Sequence, residues 1–191
     1  MTRQSSSPRL ARLRLALLAL FMVSSMLLPA SATVMQLLQV KDLTRLSSDI
    51  FYGQVLSTET DWNAERTQIY TRIRVRVDET LKGSLGRSEV VSVTQLGGEK
   101  DGKKLDYAGR PVFKAGESVV LFTTRGKNND FIVVGLKQGK MSVEGNAVRR
   151  DFSGITLVQR SADGRGLQAL AVSPATTMTL DQLRSRVAST R

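Results

Sequence analysis

Nine consecutive residues constrain this chain more than any other segment. From Ile69 to Val77, the side chains Ile69, Thr71, Ile73, Val75 and Val77 fall on one side. Tyr70, Arg72, Arg74 and Arg76 fall on the other. Successive side chains of an extended strand point to opposite faces, so the pattern predicts a β-strand with one buried and one wet face. A strand of that kind needs a sheet beside it and a core beneath it.

The flanking sequence supplies candidates for both. Residues 50–56 are rich in β-formers and contain one glycine, Gly53, which predicts a bend or bulge. The polar turn Asp61-Trp62-Asn63-Ala64-Glu65 separates that run from the alternating strand. Further strands are predicted at residues 89–95, 118–124, 131–136, 140–143 and 147–150, the last two joined by Glu144-Gly145-Asn146. Residues 96–109, with four glycines and several charges, read as a long loop or hairpin extension, and 151–177 as irregular. Residues 34–40 read as extended and 42–46 as a short helical turn capped by Asp42. Near the other end Thr179 caps a helix that puts Leu180, Leu183 and Val187 on one face. Many short strands with helices only at the edges predict a mainly β fold. The expected form is a small OB-like antiparallel β-barrel with short flanking helices, one domain over residues 33–191.

The first 32 residues are built differently. Arg3, Arg9, Arg12 and Arg14 precede a mostly apolar run at 15–28, and Pro29-Ala30-Ser31-Ala32 follows. This is the layout of a secretory signal peptide, a helix with cleavage expected after Ala32 and with Ala30 and Ala32 as the small residues of the site. The apolar run is short for a membrane span, which needs about 20 residues. Export to the periplasm or the exterior is therefore expected, with membrane contact only through the uncleaved signal. Without the four leader arginines the chain keeps 24 basic and 17 acidic residues over 159 positions, a net charge of +7. Such an excess suits anionic partners as well as ordinary solubility.

Cysteine and histidine are both missing from the chain. An exported protein without disulfides relies on core packing, and no cysteine can carry a lipid anchor. The lack of histidine removes Ser-His and Cys-His nucleophile pairs, histidine zinc sites and the usual base near neutral pH. Ser-Lys dyads, carboxylate pairs and all-acid metal sites remain, and no Ser-x-x-Lys spacing occurs. A non-enzymatic role without a cofactor is expected.

Two motifs carry a resemblance. Ser48-Asp49-Ile50-Phe51-Tyr52-Gly53-Gln54-Val55 is followed by the long strand ending Glu79-Thr80-Leu81-Lys82-Gly83. Together they resemble the opening of the netrin-type module, the fold shared with tissue inhibitors of metalloproteinases. They are also similar to a broad set of secreted bacterial proteins in which a Gly-Gly loop comes next. The counterparts here are Gly97-Gly98, Gly109-Arg110-Pro111-Val112-Phe113 and Gly116-Glu117-Ser118-Val119-Val120-Leu121-Phe122, with the pattern running on to Gly139-Lys140-Met141. The resemblance covers residues 48–136 and implies an OB-type barrel of five principal strands. Inhibitors of that family chelate a catalytic zinc through an N-terminal cysteine, which this chain does not have.

Candidate binding residues lie on and beside the alternating strand. Arg72, Arg74 and Arg76 sit roughly 7 Å apart along one face. With Tyr70 beside them they suit phosphate, carboxylate or a stacked ring, or else form a solvated face or ion pairs with neighbouring strands. Trp62, the sole tryptophan, serves either as a binding anchor or as a cover for one barrel end. Glu99, Asp101 and Asp106 are acids in a glycine-rich loop, a weak calcium pattern opposed by Lys100, Lys103 and Lys104. The expected function is an exported binding module with a protein partner. One alternative is an envelope protein that binds an anionic glycan or lipid, and another is an inhibitor or chaperone of a secreted metalloprotease. Specific nucleic-acid binding is not expected.

Overall fold

The computed structural model describes residues 33–161, 165–170 and 177–190. The expected signal helix, with Ala30 and Ala32, lies outside them. Five strands make the barrel: β2 (Asp49–Trp62), β3 (Ile69–Lys82), β4 (Val90–Leu96), β7 (Ser118–Arg125) and β8 (Phe131–Val133). They pair in the cyclic order β2-β3-β4-β8-β7 and back to β2. All contacts are antiparallel except the closing one, where β4 meets β8 in parallel at Val93 and Phe131. The result is the small OB-like β-barrel that the sequence predicts.

The outer edge of β7 is shared. Its second half pairs with β8 and closes the barrel, while its first half pairs with β9 (Lys140–Glu144). From β9 the sheet continues through β10 (Ala147–Arg150) to β13 (Thr177–Thr179). This forked sheet has two cores. Phe51, Val55, Ile73, Val75, Val93, Val119, Leu121 and Phe131 fill the barrel, with Phe51 and Phe131 meeting edge to face at 5.8 Å. Behind the sheet, Ile50, Val120, Phe122, Met141 and Val148 face outward under α1 (Val40–Leu46) and α2 (Leu180–Ala188), which contribute Leu43, Leu183 and Val187. β7 therefore buries both faces, which explains its near-continuous apolar run.

The residues behind the resemblance do structural work here. Gly53 lies where a Cβ would come 2.2 Å from the Arg76 carbonyl oxygen, and the β2–β3 register shifts beside it. Gly83 has φ +100°, and a Cβ there would come 2.3 Å from the Asp49 carboxylate. Asp49 is buried, accepts from Ser48 Oγ at 2.8 Å and pairs with Arg125 at 3.2 Å. Lys82 Nζ donates to the Thr44 and Ser47 carbonyls at 2.7 Å each, satisfying the end of α1. The two motif halves thus meet at the junction of barrel and helix.

Several elements differ from the sequence reading. Strand β2 runs on through Trp62, so the turn begins at Asn63, whose side-chain oxygen accepts from the Thr67 and Gln68 amides. Helix α1 starts at Val40, with Gln39 as its cap residue. Asp42 sits in the first turn and reaches back to the Gln39 amide at 3.0 Å, so it completes the cap from inside the helix. Residues 96–109 form a hairpin of β5 (Gly98–Lys100) and β6 (Lys103–Leu105). The stretch read as irregular holds β11 (Ile155–Arg160) and β12 (Leu167–Ala169). Strand β11 pairs in parallel with β1 (Thr33–Gln36), a partner more than a hundred residues away. At the C-terminal helix Thr179 is the cap, as the sequence predicts, and Gln182 caps it in return.

Candidate functional site

The helices cover one side of the barrel and leave the outer face of β2, β3 and β4 open. The pleat sets that face row by row. Asp61, Tyr70 and Leu96 form one row, then Glu59, Arg72 and Thr94, then Ser57, Arg74 and Ser92, then Gln54, Arg76 and Val90. Over the first of these rows lies a concavity of about 1590 Å³. Its floor is Glu59, Tyr70, Arg72, Ser92, Thr94 and Leu96. One wall is the β2–β3 turn with Asn63 and Glu65, and the opposite wall is the β7–β8 turn, residues 127–130, with Ile132. Tyr107, Arg110 and Leu136 close a third side. In OB-type barrels the ligand face is formed by the second and third strands with the loops that correspond to these two turns.

Apolar surface is exposed inside the groove. Tyr70, Tyr107, Ile132 and Leu136 are each 36–45% exposed, an unusual concentration of large side chains left open to water. Tyr70 is oriented by its hydroxyl, which donates to Gln68 Oε1 at 2.8 Å. Trp62, half-buried on the rim, donates from Nε1 to Asp101 at 2.9 Å, and Lys103 lies 5.7 Å from its ring centroid. It rests on the β5–β6 hairpin beside the groove and does not plug a barrel end.

Three ion pairs lie in and around the groove. Asp61 meets Lys100 at 3.5 Å, Asp101 meets Arg66 at 3.3 Å and Asp106 meets Arg110 at 3.4 Å. The backbone N–H of Trp62 and the nearby Lys100 hold the Asp61 carboxyl below its ordinary value. Among the described residues no three acidic side chains group where they could hold a metal ion. Of the weak pattern Glu99, Asp101 and Asp106, Asp101 is bonded to Arg66 and Trp62, and Asp106 to Arg110.

The arginine ladder divides. Arg76 donates to Asp78 at 3.2 Å and to Gln54 at 3.1 Å, so it is a structural tie. Arg72 and Arg74 are exposed, and neither has a hydrogen bond or ion pair with any described residue. Of the five sequence candidates, Trp62, Tyr70 and Arg72 line the groove, Arg74 lies just past its floor, and Arg76 lies further along. The sequence reading missed Tyr107, Ile132 and Leu136. For Ile132 a signal existed in the Phe131-Ile132-Val133 alternation, buried, exposed, buried; the other two have none in their local sequence.

No protein-family model matches the chain, and a search of the curated proteins returns no similar sequence.

Proposed function

We propose that this chain is an exported, non-enzymatic binding module that holds an extended segment of a protein partner in the groove on the β3–β4 face. The observation that carries the reading is the groove's composition. Exposed aromatic and aliphatic side chains share it with polar groups and mixed charges, which is the make-up of a protein-recognition surface. Four acids (Glu59, Asp61, Glu65, Asp130) and four bases (Arg72, Lys100, Arg110, Lys127) line it, so its field is not of one sign. Export rests on the composition of the first 32 residues, and the absence of enzymatic activity on the missing histidine and cysteine.

The test is capture of partners from the protein's own secreted or periplasmic fraction, with the double variant Tyr70→Ala, Ile132→Ala beside it. Both side chains point away from the core, so the variant should fold and lose the partner. Equal capture by both proteins would remove the groove from the account. A second reading, an envelope protein binding an anionic glycan or lipid, is favoured by the unpaired Arg72 and Arg74 and by the net charge of +7 outside the leader. It predicts retention on heparin or anionic vesicles that collapses with salt. Retention unchanged in Arg72→Glu, Arg74→Glu would contradict it.

A further inference from the structure

Two side chains on the open face stand apart from their surroundings. Around them Lys100 pairs with Asp61, Arg110 with Asp106 and Arg76 with Asp78 and Gln54, while Lys127 on the β7–β8 turn has no hydrogen bond or ion pair among the described residues. Arg72 and Arg74 on the strand itself likewise have none. They occupy alternate positions of one strand, so their heads leave the sheet at a spacing of roughly 7 Å. Alternate side chains of any other extended chain repeat at the same interval, so a peptide running along β3 keeps register with both. Each guanidinium presents a planar fork of donors suited to a carboxylate. The next alternate position, before Arg72, is Tyr70, whose ring is open and suits an apolar side chain.

We propose that the groove selects an extended acidic segment, with carboxylates at two alternate positions seated on Arg72 and Arg74 and an apolar side chain at the next alternate position on Tyr70. This rests on the groove's being a protein-binding site and adds the chemistry its partner presents. A uniform polyanion fits the same face less well. Glu59 lies directly beside Arg72 in the register, and Glu65 and Asp130 stand on the two walls. A glycan or polynucleotide charged at every unit meets those acids. A segment with only two acids meets Glu59 alone, beside Arg72, and avoids the acids of the two walls because its other positions carry no charge.

Trp62, the only tryptophan, sits on the rim and reports directly. The experiment titrates the chain without its leader, by Trp62 emission and calorimetry, with short peptides of the pattern Leu-Ser-Asp-Ser-Asp and its reverse. Comparison peptides carry adjacent aspartates or asparagines in place of both, and a heparin oligosaccharide is titrated alongside. The alternating acidic peptide is expected to bind best. Arg72→Gln and Arg74→Gln should each weaken it by about three- to fivefold, the range for exposed ion contacts, while Arg76→Gln leaves it unchanged. Equal binding of the asparagine peptide overturns the acidic preference and leaves the groove a protein site. Tighter binding of heparin than of the peptide overturns it in favour of a polyanion. If no peptide binds and capture of the natural partner survives Tyr70→Ala, Ile132→Ala, the groove reading falls with it.

Discussion

Replacing Gly83 by alanine probes the contact that joins the two sequence motifs. At φ +100° any residue with a Cβ is strained, which costs about 1–3 kcal/mol. The new methyl would also come 2.3 Å from Asp49 Oδ1 and 3.0 Å from its Cγ. That carboxylate cannot move freely, because it is 4% exposed and held by Ser48 and Arg125. Displacing it adds about 1–2 kcal/mol, in the range for overpacking, so Gly83→Ala should cost about 2–5 kcal/mol. Asp49→Ala removes the obstacle and leaves the backbone strain alone. Its own cost is about 1.5–3 kcal/mol for the lost charged hydrogen bonds. The double variant should therefore be more stable than the sum of the singles by about 1–2 kcal/mol, within the usual range for touching residues. Urea unfolding of the four proteins, followed by far-ultraviolet circular dichroism, measures this. Additivity within about 0.5 kcal/mol would refute the contact and the structural explanation of the motif.

Other outcomes follow from the same structure. Phe131→Ala removes a ring packed on Phe51 inside the barrel and stacked under Arg125, and should cost about 3–5 kcal/mol in the same unfolding assay. Gln138, 1% exposed, accepts from the Leu38 amide at 2.8 Å and donates to the Gln36 carbonyl at 3.0 Å. Gln138→Leu leaves both backbone groups unsatisfied, costs about 2–3 kcal/mol and should speed hydrogen exchange at the Leu38 amide. Partial burial raises the Asp151 pKa, but the Ser153 N–H and hydroxyl and the Lys137 ammonium outweigh it, so the carboxyl sits below its ordinary 3.8. Its contribution is present above that value and lost as pH falls through the lower folded value. Asp151→Asn should therefore narrow the stability difference between neutral and acid pH, and equal acid loss in both proteins would contradict the assignment.

What the sequence revealed follows the range of the interactions involved. The alternation at residues 69–77 is local, and it correctly located the strand that carries the groove floor. Thr179 and Gln182 are three residues apart, so their cap was half visible as well. The β7–β8 hairpin is local, but the parallel contact of Val93 with Phe131 that closes the barrel joins segments far apart in the chain and has no local signal. Residues 155–158 are apolar enough for a strand, yet Gly154 and the charged segment after them suggest a loop, and the partner β1 is supplied only by tertiary structure. Arg76 looks like Arg72 and Arg74 in the sequence, although Asp78 falls on the same face two residues on. The groove walls come from residues 63–68, 107–111 and 127–136, segments that only the fold brings together.

The central claim is that the open β3–β4 face, and not the helix-covered side, receives the partner. Site-specific photocrosslinking in the producing cell tests it most directly, with a photoreactive residue at Tyr70 in one protein and at the exposed Arg186 of α2 in another. A discrete adduct is expected from position 70, lost with Ile132→Ala, and none from position 186. An adduct from position 186 together with none from position 70 would contradict it.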